Sequence, residues 1–231
     1  MTIADGGAPS PGRLAFLRLL QLASPALPVG AFAYSQGLEP AVSAGVVHDE
    51  VSTTGWLLGL LAGPLAHLDL PAFARLYRAH AAGDAETAAR WNAFLLAARP
   101  TSELQAEDRH LGGAFARVLA TLGLPAQPES VLPLTLAGQL ARATVHYGVD
   151  LHTALETFAF MWAEAQTSAA VRLVPLGQSA GVRVLSRAGA AIPAAVEQAL
   201  LLDDDELAGA APGLALLSTA HETQYSRLFR S

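Results

Sequence analysis

The chain has 231 residues, 52% of them hydrophobic and only 15% charged, with a formal net charge of −6. No basic block offers a footprint for nucleic acid, and the absence of cysteine excludes disulfides, thiolate metal sites and cysteine nucleophiles. All 14 basic residues are arginine, which removes the lysine that P-loop, Schiff-base and kinase chemistry require.

Residues Met1 to Gly12 carry Asp5, three glycines and two prolines without a basic segment, and read as a disordered lead-in rather than a signal peptide. A first helix is expected from Arg13 to Ala23. Ser24-Pro25 stops it, and Ser24 to Phe32 must be extended or turning because two prolines fix φ. Tyr34 to Glu39 opens a short helix, with Ser35 as N-cap. Asp49 starts a helix through Trp56 to about Ala62, and Asp69 with Pro71 starts another that faces inward through Phe73, Leu76, Tyr77 and His80. Asp84 caps a helix bearing Trp91, Phe94, Leu95 and Ala98. Leu104, Leu111, Phe115, Val118 and Leu122 then form one stripe of a long helix ending at Gly123.

Leu124 to Pro133 is a proline-bearing connection. Leu134 to Tyr147 and Asp150 to Leu173 form a helical pair, the second apolar on nearly every side and so a core or interface helix. Pro175 pushes Val174 out of helical geometry, so a corner is expected there, placing Arg172 and Gln178 in apolar surroundings. Shorter helices at about Ala180 to Ala188 and Pro193 to Leu202, an acidic segment Asp203 to Glu206, and a final stretch after Pro212 complete an all-α, single-domain bundle of roughly ten helices over residues 13–220. The uncharged runs Leu19 to Leu38 and Val51 to Leu68 are broken by proline and glycine and read as no membrane span, so a cytoplasmic protein is expected.

Two constellations suggest chemistry. Gly177-Gln178-Ser179-Ala180-Gly181 matches the nucleophile elbow G-x-S-x-G, with acids and His221 following in hydrolase order. That reading needs a strand before Ser179 and parallel strands around it, which the pattern does not supply. Glu103, Glu107 and His110 contain an E-x-x-H pair, but di-iron bundles need two such pairs and further carboxylates. A solvated helix face is the expectation there. His67, His80, His146 and His152 lack H-x-x-x-H spacing, so no cofactor and no tight metal site is expected.

Leu20 to Pro25 with Leu27-Pro28-Val29-Gly30, then Tyr34-Ser35-Gln36-Gly37-Leu38-Glu39, resembles the opening signature of the UreF urease accessory family. Arg172-Leu173-Val174-Pro175-Leu176-Gly177-Gln178 resembles its second signature, and His221 to Ser231 its C-terminus. Ala33, where serine is frequent, and Asp108, where threonine is frequent, depart from the pattern. The resemblance implies a dimer-forming, non-enzymatic scaffold that binds UreD (UreH in some organisms). With it the protein recruits the GTPase UreG and matures the nickel centre of urease apoprotein, with UreE as nickel donor.

The partner-binding residues so implied are Tyr34, Ser35, Glu39, Arg172, Gln178, His221, Glu222, Tyr225, Arg227, Leu228, Phe229 and Arg230. An alternative is regulation of UreG turnover through an arginine; a distant one is a serine hydrolase using Ser179. Residues 221–231 are expected to form a partner-binding tail that orders on UreD, the alternative being a tail folded back onto its own core; deleting Tyr225 to Ser231 is expected to leave the melting temperature and dimerisation nearly unchanged while abolishing UreD binding. Arg172→Ala is expected to spare the fold and weaken association.

Overall fold

Short polar residues mark the start of five helices. Asp49, Asp84, Thr101, Thr135 and Asp150 each accept the main-chain N–H three residues on, satisfying a donor that the helix leaves unpaired. The computed structural model describes residues 11–127, 134–209 and 211–231, and among these it is helical without strands. The order is α1 (Pro11–Leu22), a 3₁₀ turn (Ala31–Ala33), α2 (Leu38–Ser43), α3 (Glu50–Leu60), a π-helical segment (Leu61–Asp69) and α4 (Leu70–Ala82). Then come α5 (Ala85–Ala97), α6 (Ser102–Thr121), α7 (Leu136–His146), α8 (Leu151–Leu173), α9 (Gln178–Leu201), a 3₁₀ turn (Asp204–Glu206) and α10 (Pro212–Glu222). Of the lead expected over residues 1–12, positions 11 and 12 belong to α1 and the rest lies outside the described residues, as does part of the 124–133 connection.

The apolar helix α8 runs through the middle, packed on α9, α4, α7, α2 and the first 3₁₀ turn. Phe73 of α4 stacks on Phe158 of α8 with ring centroids 5.1 Å apart. Phe73, Phe115, Leu76, Leu95, Leu140 and Leu155 are fully buried, and each contributes about 1.5–3 kcal/mol relative to an exposed position. Close approach between α6 and the start of α7 requires Gly112: a Cβ there would strike the main chain of Leu134 and Thr135.

Three expectations need correction. The helix expected to end near Ala62 does not stop there: α3, the π-segment and α4 follow one path from Glu50 to Ala82, broken as expected by a kink at Gly63 (φ −93°, ψ −107°) beside Pro64. That path is long and apolar enough to cross a membrane, yet 67% of its most apolar window is buried in the fold, as befits a core helix. Asp69 does not cap α4; its carboxylate is buried against Arg99. Finally, α9 is one helix through Pro193, whose missing N–H costs only the bond to the Gly189 carbonyl, rather than two helices.

Candidate partner-binding site

The Tyr34 to Glu39 motif makes a tight turn. Gln36 (φ 51°) and Gly37 (φ 80°) are consecutive left-handed residues, and a Cβ on Gly37 would meet the Leu214 side chain at 2.6 Å. A non-glycine residue held there marks a constrained position. The turn directs the Gln36 side chain inward, where Nε2 donates to Glu107 Oε1 (2.7 Å) while Oε1 accepts from Trp162 Nε1 (2.9 Å) and Gln166 Nε2 (3.3 Å). Helix α2 therefore begins at Leu38, not at Tyr34, and Ser35 serves it differently from an N-cap. Its hydroxyl accepts the Glu39 N–H (3.3 Å) and donates to the main-chain oxygen of Ser231.

Onto this turn the last residues fold back. Ser35 N–H donates to Ser231 O and Arg230 N–H to Ala33 O, both at 2.9 Å. Buried Glu39 accepts the N–H groups of Leu228 (2.7 Å) and Phe229 (2.8 Å). His221, fully buried, places Nδ1 2.6 Å from Glu103 and Nε2 3.4 Å from Glu39, so its ring bridges the two carboxyl groups. Glu103 also pairs with Arg227, and the Ser231 hydroxyl donates to Glu107 Oε2 (2.6 Å). Burial pushes the Glu107 carboxyl up to about 7, against the opposing pull of the Ser231 and Gln36 hydrogen bonds.

Phe229 is only 4% exposed and packs in a small cluster with Leu38, Ala41, Val47, Ala169, Ala170 and Val174. The expectation that nothing buries Phe229 is thereby overturned: the tail folds back onto its own core. Tyr225, Leu228 and Arg230 remain exposed. Arg172 is exposed rather than set in apolar surroundings. Its guanidinium lies 4.5 Å from the Phe229 ring centroid and donates to the Phe32 carbonyl (2.9 Å), so it clamps the tail. Tyr34 is buried and its hydroxyl lies 3.2 Å from His110 Nδ1. Glu222 accepts from the main chain and hydroxyl of Ser102 at the start of α6; the Ser102 hydroxyl holds its carboxyl below the usual range. Gln178 stands apart, exposed at the first turn of α9.

The structure thus brings Tyr34, Ser35, Glu39, Arg172, His221, Glu222, Arg227, Phe229 and Arg230 around one corner. It adds Gln36, Glu103 and Glu107, which sequence reasoning missed. Glu107 is buried, not part of a solvated face; the motif shared with Ser35 and Glu39 could have drawn notice to Gln36, but nothing local to Glu107 marked its burial. The hydrolase geometry is not formed. Ser179 is exposed in the first turn of α9 after extended residues that pair in no sheet, and His221 is sealed between Glu103 and Glu39.

The sequence profile of the UreF family matches residues 47–189. The chain is 48% identical to the urease accessory protein UreF of Chromohalobacter salexigens over 222 residues, covering 94% of this chain and 95% of that one. It is 49% identical to the urease accessory protein UreF of Pseudomonas putida (94% and 98% covered) and 47% identical to that of Alkalilimnicola ehrlichii (96% and 98% covered). The motifs that build the tail-bearing corner are thus carried within a similarity that runs along nearly the whole chain, and the chain belongs to the UreF family of urease accessory proteins.

Proposed function

We propose that this chain is a non-enzymatic, cytoplasmic scaffold of urease maturation, binding UreD (UreH) and, with it, recruiting UreG so that nickel is inserted into urease apoprotein. The observation that carries this reading is the split character of the tail. Phe229 and Ser231 are rooted in the protein, while Tyr225 (105% exposed), Leu228 (57%) and Arg230 face solvent beside them. Tyrosine and arginine are enriched at interface hot spots, and a pre-ordered tail avoids the cost of about 2–5 kcal/mol for ordering a free segment on binding. UreD is the partner assigned to this surface.

Homodimerisation belongs to the same proposal. Phe16, Leu17 and Leu20 of α1 are more than half exposed and offer a separate apolar face for assembly.

The test is co-expression with UreD and UreG. Tyr225→Ala with Leu228→Asp should leave the helical fold intact while abolishing co-purification with UreD and activation of urease. Recovery of UreD at the unmodified yield would refute the assignment of this surface.

A further inference from the structure

Between the Tyr34 to Gln36 turn, the π-segment, α6, α8 and the start of α10 lies a cavity of about 410 Å³. That is within the range of sites for small organic ligands. Its walls are mainly aliphatic and aromatic, including Leu65, Phe158 and Met161, and its polar groups come from Gln36, Gln166, Glu107 and the Asp69–Arg99–Asp108 group.

These polar groups are unbalanced in two ways. Gln166, 1% exposed, gives its amide nitrogen to Gln36, but its Oε1 has no hydrogen-bond partner among the described residues. A buried acceptor left unpaired is costly and calls for a donor. Charge is the second imbalance: three carboxyl residues line the space and Arg99 is the lining cation. Arg99 is itself committed to Asp69 (2.7 Å) and Asp108 (2.9 Å), and Glu107 has only neutral donors.

An anion is disfavoured by the carboxylates. The described residues contain no group of three His, Asp or Glu placed to hold a metal ion, and a hydrated ion would gain nothing from the apolar walls. Water finds its two to four polar partners beside these polar groups but none along the apolar walls. What matches an apolar chamber with an acceptor-rich, acidic end is an amphiphilic donor with positive charge.

We propose that this cavity is a binding site for a small organic ammonium ion, its apolar body against Leu65, Phe158 and Met161 and its N–H donors directed to Gln166 Oε1 and Glu107. The site is separate from the exposed tail surface assigned to UreD. Burial disfavours the Glu107 carboxylate, and a cation beside it relieves that penalty, so binding near neutral pH expels a proton.

Three isosteric probes test the proposal on the unmodified protein: n-hexylammonium, n-hexanol and n-hexanoate, titrated by calorimetry in two buffers of different ionisation enthalpy. Hexylammonium should bind about tenfold or more tighter than either of the others, with proton release. Gln166→Leu should remove about tenfold of that preference, and Leu65→Trp should block the chamber for all probes. Equal binding of hexanol or hexanoate, no binding of hexylammonium, or amine binding undiminished in Leu65→Trp would each overturn the proposal. The comparison among probes needs no variant, so it stands even where a substituted chain misfolds. Loss of UreD binding by the tail variant leaves it untouched as well.

Discussion

Two clusters of acidic side chains, each with members on α6, are compensated by different means. Asp69 and Asp108 share Arg99, a guanidinium whose pKa is raised: burial works against its charge, and the two carboxylates overcome that. Asp69 nonetheless rests above its usual range because burial outweighs Arg99. Glu39, Glu103 and Glu107 rely instead on the final residues of the chain, through the N–H groups of Leu228 and Phe229, His221, Arg227 and the Ser231 hydroxyl. The first group is a strut whose compensation is built into the helices. The second is a clasp whose compensation leaves if the tail leaves.

The largest effect should come from breaking the strut. Arg99→Ala strands two buried carboxylates and should cost about 4 kcal/mol, enough to lower chemical-denaturation midpoints severely. Next, Phe229→Ala empties the small cluster beneath Arg172 and removes its ring contact, costing about 3 kcal/mol by the same measurement. A tail that contributed nothing to stability would show no change.

A smaller effect is pH-dependent. Below the ordinary carboxylate range Glu107 is protonated in folded and unfolded chains alike, and nothing is lost there. As pH rises toward about 7 the unfolded chain ionises more readily than the folded one, so stability falls, by about 3 kcal/mol in all, and levels off above that. Glu107→Gln should flatten this decline between pH 5 and pH 8; an unchanged slope would place its origin elsewhere. Smallest of all, Tyr225→Ala should alter thermal stability by less than about 0.5 kcal/mol, because the ring touches solvent, while weakening UreD recovery. A large stability loss would make Tyr225 part of the clasp.

Helix positions were largely legible because their caps are local: Asp49, Asp84 and Asp150 begin helices where the sequence puts them. The all-α class followed from the same periodicity. Charge placement was not legible. Glu107 shares α6 with solvent-facing residues, and only the return of Ser231 across 124 positions explains its burial. Asp69 looks like a cap beside Pro71 until Arg99, thirty residues away, is seen to claim it. Arg172 does stand at a corner, as the neighbouring proline implies, but its acceptor on Phe32 and its stacking partner Phe229 are long-range and leave no local trace. Pro193 misled for the opposite reason: the local rule was sound, and packing of α9 along α8 overrode it.

The wide-turned segment Leu61–Asp69 also makes this molecule sensitive to chain length at one place. It joins two helices across a kink at Gly63 beside Pro64, so its residue count sets the rotation of α4 relative to α3, and deleting a single residue there would change that rotation. Everything after it would then turn by about 100° relative to α3. Phe73 would swing away from Phe158, and Asp69 away from Arg99. Insertions and deletions are usually absorbed in surface loops; here one such change in the interior would re-index the core, so this nine-residue segment acts as a phase-setting element for the bundle.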